Sequence, residues 1–438
     1  MSSSRALLDI VKKQKAGVPL GICSVCSANR FVLESALEFG LAKGLPVLIE
    51  ATSNQVNQYG GYTGMEPEDF RDLVLELAEK VGFPTDQLLL GGDHLGPNPW
   101  RNEPAEAALE KGCAMVFAYA AAGYTKIHLD ASMHLGGDPG KGERALDTAV
   151  VAERTAQLAQ AAERGYAERL KDAPSAEPPV YVIGSEVPVP GGTQSDHEEL
   201  SITKPEDFRT TVELTREAFL RQGLEQAWER VIAVVVQPGV EFGDQEIHLY
   251  EREKAQALTE ELKHHPNLVF EAHSTDYQLP CCLQQMVQDG LAILKVGPEL
   301  TFALREALFA LQHIEEELAF KIPGELSHLR ETVERVMLAE PKNWQPYYKG
   351  TEEELRYLRQ FGLSDRIRYY WSHPKVAMAV DRLLANLRGL EIPLPLLYQY
   401  FPELALRVQA GWVENSPEAL VKSRIARVYE KYLLATQP

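Results

Sequence analysis

Short apolar runs rich in β-branched residues alternate with longer segments of helical periodicity along most of the chain. The helical segments place apolar residues on one face, as Phe70, Val74 and Leu77 do within residues 66–81. The apolar runs are typical of strands buried on both faces; they are residues 18–23, 46–50, 88–93, 126–130, 180–186, 231–237, 268–273 and 292–296. Eight strand–helix alternations predict an α/β fold of the (β/α)8 TIM-barrel type, with an open doubly wound sheet as the weaker alternative.

The pattern changes near residue 325, where helical segments continue without strands between them. We therefore predict a barrel domain over residues 1–325 and a helical C-terminal extension over residues 326–438. We expect the extension to be mainly a packing appendage, with coverage of one barrel end or an oligomer contact as alternatives.

Composition and charge limit the partners of this 438-residue chain. A formal net charge of −19 argues against nucleic acid or an anionic membrane as the main partner. No apolar run reaches the length of about 18 residues that a transmembrane helix needs, so no membrane span is expected. The opening residues read as a short amphipathic helix rather than a signal peptide. Five cysteines without a secretion signal predict reduced thiols in a cytoplasmic protein.

Polar residues follow the predicted strands at the ends where barrel enzymes place their sites. Carboxylates gathered at one rim repel one another unless protons, lysines or a metal compensate. Two histidines among several carboxylates suit a divalent cation such as Zn, Mn, Co or Ni. We therefore predict His94 and His273 as metal ligands and interpret His128, which lies deeper in its strand, as a core histidine. The strand-end residues are Glu50, Asp93, His94, Asp130, Ser132, Glu186, Gln237, Glu241, His273, Lys295 and Glu299.

Three other signatures are set aside. Residues 136–142 superficially resemble a phosphate loop, but the first glycine is misplaced and no Ser or Thr follows Lys141. No Gly-x-Gly-x-x-Gly follows the first strand, and no Gly-x-Ser-x-Gly occurs. A nucleotide loop, a bound nicotinamide cofactor and a serine hydrolase are therefore disfavoured.

Several segments together resemble the tagatose-bisphosphate aldolase accessory-subunit family, GatZ/KbaZ, over nearly the whole chain; they are residues 50–55, 92–97, 126–132, 184–192, 271–277 and 295–301. That family is similar to the class II fructose- and tagatose-bisphosphate aldolases, which are zinc-dependent barrels. The resemblance implies that His94 and His273 bind the metal and that Asp93 exchanges a proton with the substrate. Asp130 and Glu186 match the aldolase acids after strands four and five.

Two departures from the aldolase pattern bear on the ligand. The aldolase histidine after strand six is replaced, and Glu241 is the nearest candidate ligand in its place. Asp276 stands in the turn that holds a phosphate in the aldolases, where a carboxylate would repel it. A neutral sugar is therefore favoured unless Lys295 or an arginine compensates. The candidate substrate-binding residues are Glu50, Asn54, Ser132, Gln237, Ser274, Asp276, Lys295 and Glu299.

These residues lead to two interpretations. The resemblance implies that a sugar 4-epimerase is possible, because some relatives of the family act on ketohexoses such as fructose and tagatose. A purely structural helper has no need of a ring of costly carboxylates, so we predict a metal-dependent ketohexose 4-epimerase that interconverts D-fructose and D-tagatose. A metal held by His94, His273 and Glu241 would stabilise the enolate of a retro-aldol/aldol route. Asp93, Glu186 or Asp130 would move the proton at the C4 hydroxyl.

The second interpretation is a non-catalytic subunit that stabilises a class II D-tagatose-1,6-bisphosphate aldolase. An aldolase active alone on tagatose bisphosphate is disfavoured by Asp276. The expected partners are a small ketohexose and either a second copy of the chain or an aldolase subunit.

Overall fold

Eight parallel strands close into a barrel in the computed structural model, which describes residues 4–140, 145–184 and 200–437. Each barrel strand pairs with its neighbours in chain order, and the eighth pairs with the first. The predicted (β/α)8 barrel is confirmed, and the open sheet is excluded. Barrel strands one to eight are Ile22–Val25, Val47–Thr52, Leu88–Leu95, Lys126–Leu129, Val180–Ile183, Val231–Val236, Val269–Ala272 and Leu291–Val296.

Helices surround the barrel, and one of them shows recognisable capping residues at both ends. Helix Pro67–Val81 starts with a capping box formed by Glu66 and Asp69, and ends at Gly82 with φ 73°. The barrel-region α-helices are Arg5–Lys15, Arg30–Lys43, Pro67–Val81, Ala105–Ala122, Thr148–Asp172, Pro205–Arg221, Glu225–Trp228, Arg252–Leu262, Pro280–Gln288 and Pro298–Glu317. Short 3₁₀ turns occupy Asn98–Trp100 and Ala319–Lys321, and a two-stranded hairpin pairs Glu241–Phe242 with Ile247–His248.

Six further α-helices follow the barrel and return to it. They are Leu329–Ala339, Glu352–Phe361, Pro374–Leu387, Leu394–Tyr400, Pro402–Gln409 and Pro417–Thr436, with 3₁₀ turns at Pro341–Asn343 and Arg366–Tyr369. The last helix packs on the barrel, where the Tyr432 hydroxyl donates to the Thr275 carbonyl at 2.9 Å. None of the helices that the structure describes is long and apolar enough to cross a membrane. The domain boundary at residue 325 stays a prediction.

The first strand differs from its predicted position, because it spans Ile22–Val25 rather than residues 18–23. The Leu20 amide donates to the Val18 carbonyl, and the Gly21 amide donates to the Thr436 carbonyl at 2.9 Å. These amides are therefore bonded outside the barrel sheet. Hydrophobicity alone does not reveal such a partner at the far end of the sequence.

The inward face of the barrel changes from apolar to charged along single strands. Leu48 and Glu50 lie two residues apart on strand two, and Val269 and Glu271 do so on strand seven. Successive side chains of a strand alternate between faces, so both members of each pair point to the same side. The apolar members pack in a cluster with Leu7 of the first helix. The carboxylates lie nearer the carboxyl ends of the strands.

We expect Gly165→Ala to destabilise the barrel wall. A Cβ at Gly165 would lie 2.3 Å from the Phe117 carbonyl oxygen, where helix Thr148–Asp172 approaches helix Ala105–Ala122. Overpacking of this kind costs about 1–3 kcal/mol. Urea unfolding measures the loss in the free energy of unfolding.

Gly324→Ala is the matched control. A Cβ at Gly324 meets no heavy atom within 4 Å, so this change should leave the free energy of unfolding within about 0.5 kcal/mol. Equal unfolding midpoints for the two variants would contradict the close helix approach.

Candidate metal and ligand site

Two buried lysines lie between three buried carboxylates inside the barrel. The Lys126 Nζ lies 2.7 Å from Glu50 Oε1 and 2.6 Å from Glu271 Oε2. The Lys295 Nζ lies 2.7 Å from Glu50 Oε2 and 2.9 Å from Asp93 Oδ1. All five side chains are at most 4% exposed. The lysines therefore offset most of the repulsion among these acids.

Three imidazoles meet beside these ion pairs. The ring centroids of His94 and His273 are 4.8 Å apart, and each lies 5.2 Å from that of His128. His94 lies on strand three, His128 lies on strand four, and His273 directly follows strand seven. The predicted convergence of His94 and His273 at one mouth of the barrel is therefore present.

Carboxylates orient the rings of His94 and His273. His94 Nδ1 lies 2.9 Å from Asp130 Oδ2, while Asp130 Oδ1 accepts from the Ser132 amide at 3.0 Å and hydroxyl at 2.6 Å. His273 Nε2 lies 3.0 Å from Glu271 Oε1. Each ring is thus fixed by an acid whose own position is restrained.

The pKa values of His273 and His94 are shifted in opposite directions. Burial lowers the pKa of His273 to about 4, so this ring is neutral at neutral pH. Burial opposes the charge on His94 too, but Asp93 and Asp130 raise its pKa above the ordinary value. Burial also opposes the charge on Asp93, yet His94 and Lys295 hold its pKa well below the usual range.

Four of these residues form a group with the geometry to hold a metal ion. Ligand atoms of Asp93, His128, Glu271 and His273 all lie within 4.8 Å of one another. His128 Nδ1 lies 3.1 Å from Asp93 Oδ1, and its buried Nε2 has no hydrogen-bond partner in the part of the chain that the structure describes. An unpartnered buried nitrogen beside a neutral imidazole and two carboxylates fits a divalent cation.

The predicted ligand set overlaps this group only at His273. His94 and Glu241 lie outside the group, and their ligand roles stay predictions. Glu241 is fully buried in the short hairpin, where its Oε1 accepts from the Phe242 amide at 3.0 Å. Burial raises the pKa of Glu241 to about 7.

Backbone conformation is unusual where strands three and seven end. His94, Ser274 and Tyr277 have φ values of 49°, 53° and 62°, a region that residues other than glycine seldom occupy. Such conformations persist only where the surrounding structure imposes them, and they concentrate at functional sites.

Other predicted substrate-binding residues are engaged with the backbone. Gln237 Oε1 accepts from the Gly239 and Val240 amides at 2.8 and 3.0 Å, which closes the turn after strand six. Asp276 Oδ1 accepts from the Gly297 and Glu299 amides at 3.0 and 2.8 Å. Asp276 therefore caps helix Pro298–Glu317.

A pocket opens above the histidines. The predicted substrate-binding residue Asn54 lines this pocket and is exposed. The predicted catalytic residue Glu186 lies outside the described residues. Residues from the barrel and from the C-terminal extension line this pocket; they include Cys26, Thr52, Gln55, Tyr62, Asp93, His94, Phe242, His273, Ser274, Asp276, Lys295, Arg368 and Tyr369.

Sequence reasoning missed three members of the cluster. Lys126 and Glu271 were not singled out, and His128 was interpreted as a core residue. Each of the three stands two residues before another residue of the site: Lys126 before His128, His128 before Asp130, and Glu271 before His273. The two-residue repeat of a strand was the signal that could have found them.

The chain matches the family model described as "D-tagatose-1,6-bisphosphate aldolase subunit GatZ/KbaZ-like" over residues 7–437. It is 49% identical to the D-tagatose-1,6-bisphosphate aldolase subunit GatZ of Salmonella gallinarum, covering 98% of this chain and 99% of the relative. Identity to the Klebsiella pneumoniae protein of the same name is 49%, with 97% of each chain covered.

One solved structure is similar over almost the whole chain. It is described as that of a probable tagatose 6 phosphate kinase from Sinorhizobium meliloti 1021, with 46% sequence identity and a TM-score of 0.85. The match covers 95% of this chain and 100% of that chain.

These comparisons correct the predicted activity. The interpretation as a metal-dependent ketohexose 4-epimerase, an isomerase, is wrong, because relatives of 49% identity are named aldolase subunits. The same names favour the second interpretation, a subunit of D-tagatose-1,6-bisphosphate aldolase. The resemblance found in the sequence motifs is confirmed.

We expect Lys126→Met to destabilise the protein by about 3–5 kcal/mol, because it leaves Glu50 and Glu271 buried without one of their cations. Urea unfolding gives the magnitude. Adding Glu271→Gln to the same chain should recover part of the loss, because the second change removes one uncompensated charge.

Lys171→Met is the control for this prediction. Lys171 pairs with Glu168 at the surface, with the two side chains 68% and 52% exposed, so its loss should cost at most about 1 kcal/mol. A similar cost for Lys126→Met would show that the buried network contributes no more than a surface pair.

Proposed function

The chain belongs to the D-tagatose-1,6-bisphosphate aldolase subunit GatZ/KbaZ-like family, and we propose that it is itself a subunit of such an aldolase. The observation that carries the proposal is the 49% identity to proteins named as this subunit, over 98% of the chain. The aligned region spans the barrel and the helical extension alike.

We propose a stabilising role rather than aldol cleavage by this chain. Two residues in the segments that depart from the aldolase pattern are committed to the local backbone: Gln237 after strand six closes its own turn, and Asp276 after strand seven caps a helix. The buried carboxylates are matched by Lys126 and Lys295, so they do not require catalysis to account for them. The barrel can thus be a stable binding partner in its own right.

We also propose that the group Asp93, His128, Glu271 and His273 binds a divalent cation such as Zn, Mn, Co or Ni. The unpartnered His128 Nε2 and the depressed pKa of His273 support this proposal. When bound, such a cation supplies a positive contact for hydroxyl or carbonyl oxygens of a sugar. His94, Asp130 and Ser132 would then contact the ligand from the same mouth.

The expected location is the cytoplasm. The five cysteines are all free thiols in the structure, which suits a reducing compartment. The partner in this proposal is the catalytic subunit of the aldolase.

Co-expression with a class II D-tagatose-1,6-bisphosphate aldolase catalytic subunit tests the subunit assignment. An affinity tag on this chain should retain the catalytic subunit through gel filtration, and aldolase activity should survive longer at elevated temperature than that of the catalytic subunit alone. The reason is that a partner which binds only the folded subunit shifts its folding equilibrium by mass action.

A class II fructose-bisphosphate aldolase serves as the mismatched control. Independent elution of the two chains, with no effect on the half-life of aldolase activity, would refute the proposal. Cleavage of tagatose bisphosphate by this chain alone would refute the stabilising role while leaving the family intact.

Metal content tests the cation site separately. We expect His128→Gln and His273→Gln to weaken binding of Zn, Mn, Co or Ni at least tenfold in calorimetric titrations, because each removes a nitrogen ligand. His248→Gln, which changes a histidine 39% exposed in the hairpin, should bind as the unaltered protein does. Unchanged stoichiometry and affinity in the first two variants would exclude the site.

A further inference from the structure

The C-terminal extension contributes cationic and aromatic groups to the pocket above the histidines. Arg368 and Tyr369 lie in the 3₁₀ turn Arg366–Tyr369 and line the same pocket as His94, His273 and Lys295. The barrel and the extension therefore line this pocket together.

Arg368 is held in place by the extension itself. Its guanidinium donates to the carbonyls of Ser364 and Asp365, and to the Tyr369 hydroxyl at 3.0 Å. The guanidinium lies 4.5 Å from the centre of the Tyr369 ring, and this ring meets Tyr62 edge-on at 5.0 Å. These contacts fix the cation before any ligand arrives.

The charge of Arg368 has no acid in direct contact, although the Asp365 carboxylate acts on it from nearby. No carboxylate forms an ion pair with it within residues 4–140, 145–184 and 200–437, and the partners named above are carbonyls and a hydroxyl. The nearby Asp365 carboxylate instead contacts the Thr301 hydroxyl at 2.5 Å and Arg305 at 3.6 Å. A partly buried cation without a directly paired counter-ion attracts an anion into the pocket.

Lys295, the other pocket cation, is already neutralised. It lies within 2.9 Å of both Glu50 and Asp93. The Asp276 carboxylate, which would repel a phosphate, instead accepts hydrogen bonds from backbone amides at the start of helix Pro298–Glu317. Of the two compensating cations considered from the sequence, a lysine on strand eight or an arginine, the arginine is the one available.

We propose that Arg368 forms an anion subsite in this pocket, which takes the phosphate of a phosphorylated sugar whose hydroxyl groups face the histidine cluster. The inference rests on the proposed aldolase-subunit function, and it deepens that function by naming the ligand class. A guanidinium suits this role because its planar fork of N–H donors matches two phosphate oxygens. The ligand would bridge the barrel and the extension.

Calorimetric titration of the full-length protein tests the subsite, with D-tagatose 1,6-bisphosphate, D-tagatose and inorganic phosphate as probes. We expect the bisphosphate to bind at least tenfold more tightly than D-tagatose. Arg368→Gln should remove this difference, and Arg368→Lys should retain part of it because the charge remains while the fork is lost. Inorganic phosphate should compete with the bisphosphate.

Arg356→Gln is the matched control, because Arg356 is an exposed arginine of helix Glu352–Phe361. It should leave the affinity for every probe unchanged. Thermal unfolding of each variant establishes that it is folded. If Arg368→Gln unfolds, Arg368→Lys and the salt dependence of bisphosphate binding by the unaltered protein decide the question, since exposed and partly exposed charge contacts weaken with salt.

Three results overturn the subsite: equal affinity for the bisphosphate and D-tagatose, unchanged bisphosphate affinity in folded Arg368→Gln, or no binding of any phosphorylated probe. Retention of the catalytic subunit is measured on the same preparations. Complex formation without phosphate binding removes the subsite and leaves the subunit assignment. Arg368-dependent phosphate binding without complex formation removes the subunit assignment instead.

Discussion

The polar end of the barrel depends on two lysines that are buried among carboxylates. Lys126 joins Glu50 to Glu271, and Lys295 joins Glu50 to Asp93. A buried charge without a partner is strongly destabilising, whereas a paired and well-oriented one is tolerated. The lysines thus permit acids from strands two, three and seven to share one interior. They also position the carboxylates that orient the neighbouring imidazoles.

The architecture follows from patterns that the sequence displays directly. Buried apolar runs predicted the number and order of the strands, and the helical pattern over residues 66–81 matches helix Pro67–Val81 to within a residue. The strand-end rule brought His94 and His273 to one mouth of the barrel, where their rings are 4.8 Å apart. The first strand was misplaced, because the Gly21 amide bonds to Thr436 rather than to the sheet.

The cluster was less predictable, since it depends on contacts between distant parts of the chain. Lys126 and Glu50 are 76 residues apart, and Lys295 and Glu50 are 245 apart. Because Lys126 was not recognised as a partner of Glu50 and Glu271, the ring of carboxylates looked too costly for a protein without catalytic activity, and this favoured the epimerase interpretation. The names of relatives at 49% identity, rather than any distance in the site, corrected it.

The helical extension is coupled physically to the strained end of strand seven. Tyr277 has φ 62°, and its hydroxyl donates to the Leu363 carbonyl at 2.6 Å. Its amide donates to Glu299, whose carboxylate also binds Lys431 of the last helix. Strained backbone persists only where its surroundings hold it. The residues after 325 therefore help to hold the loop that presents His273 and Ser274, so a barrel cut at the predicted boundary would lose part of its own site.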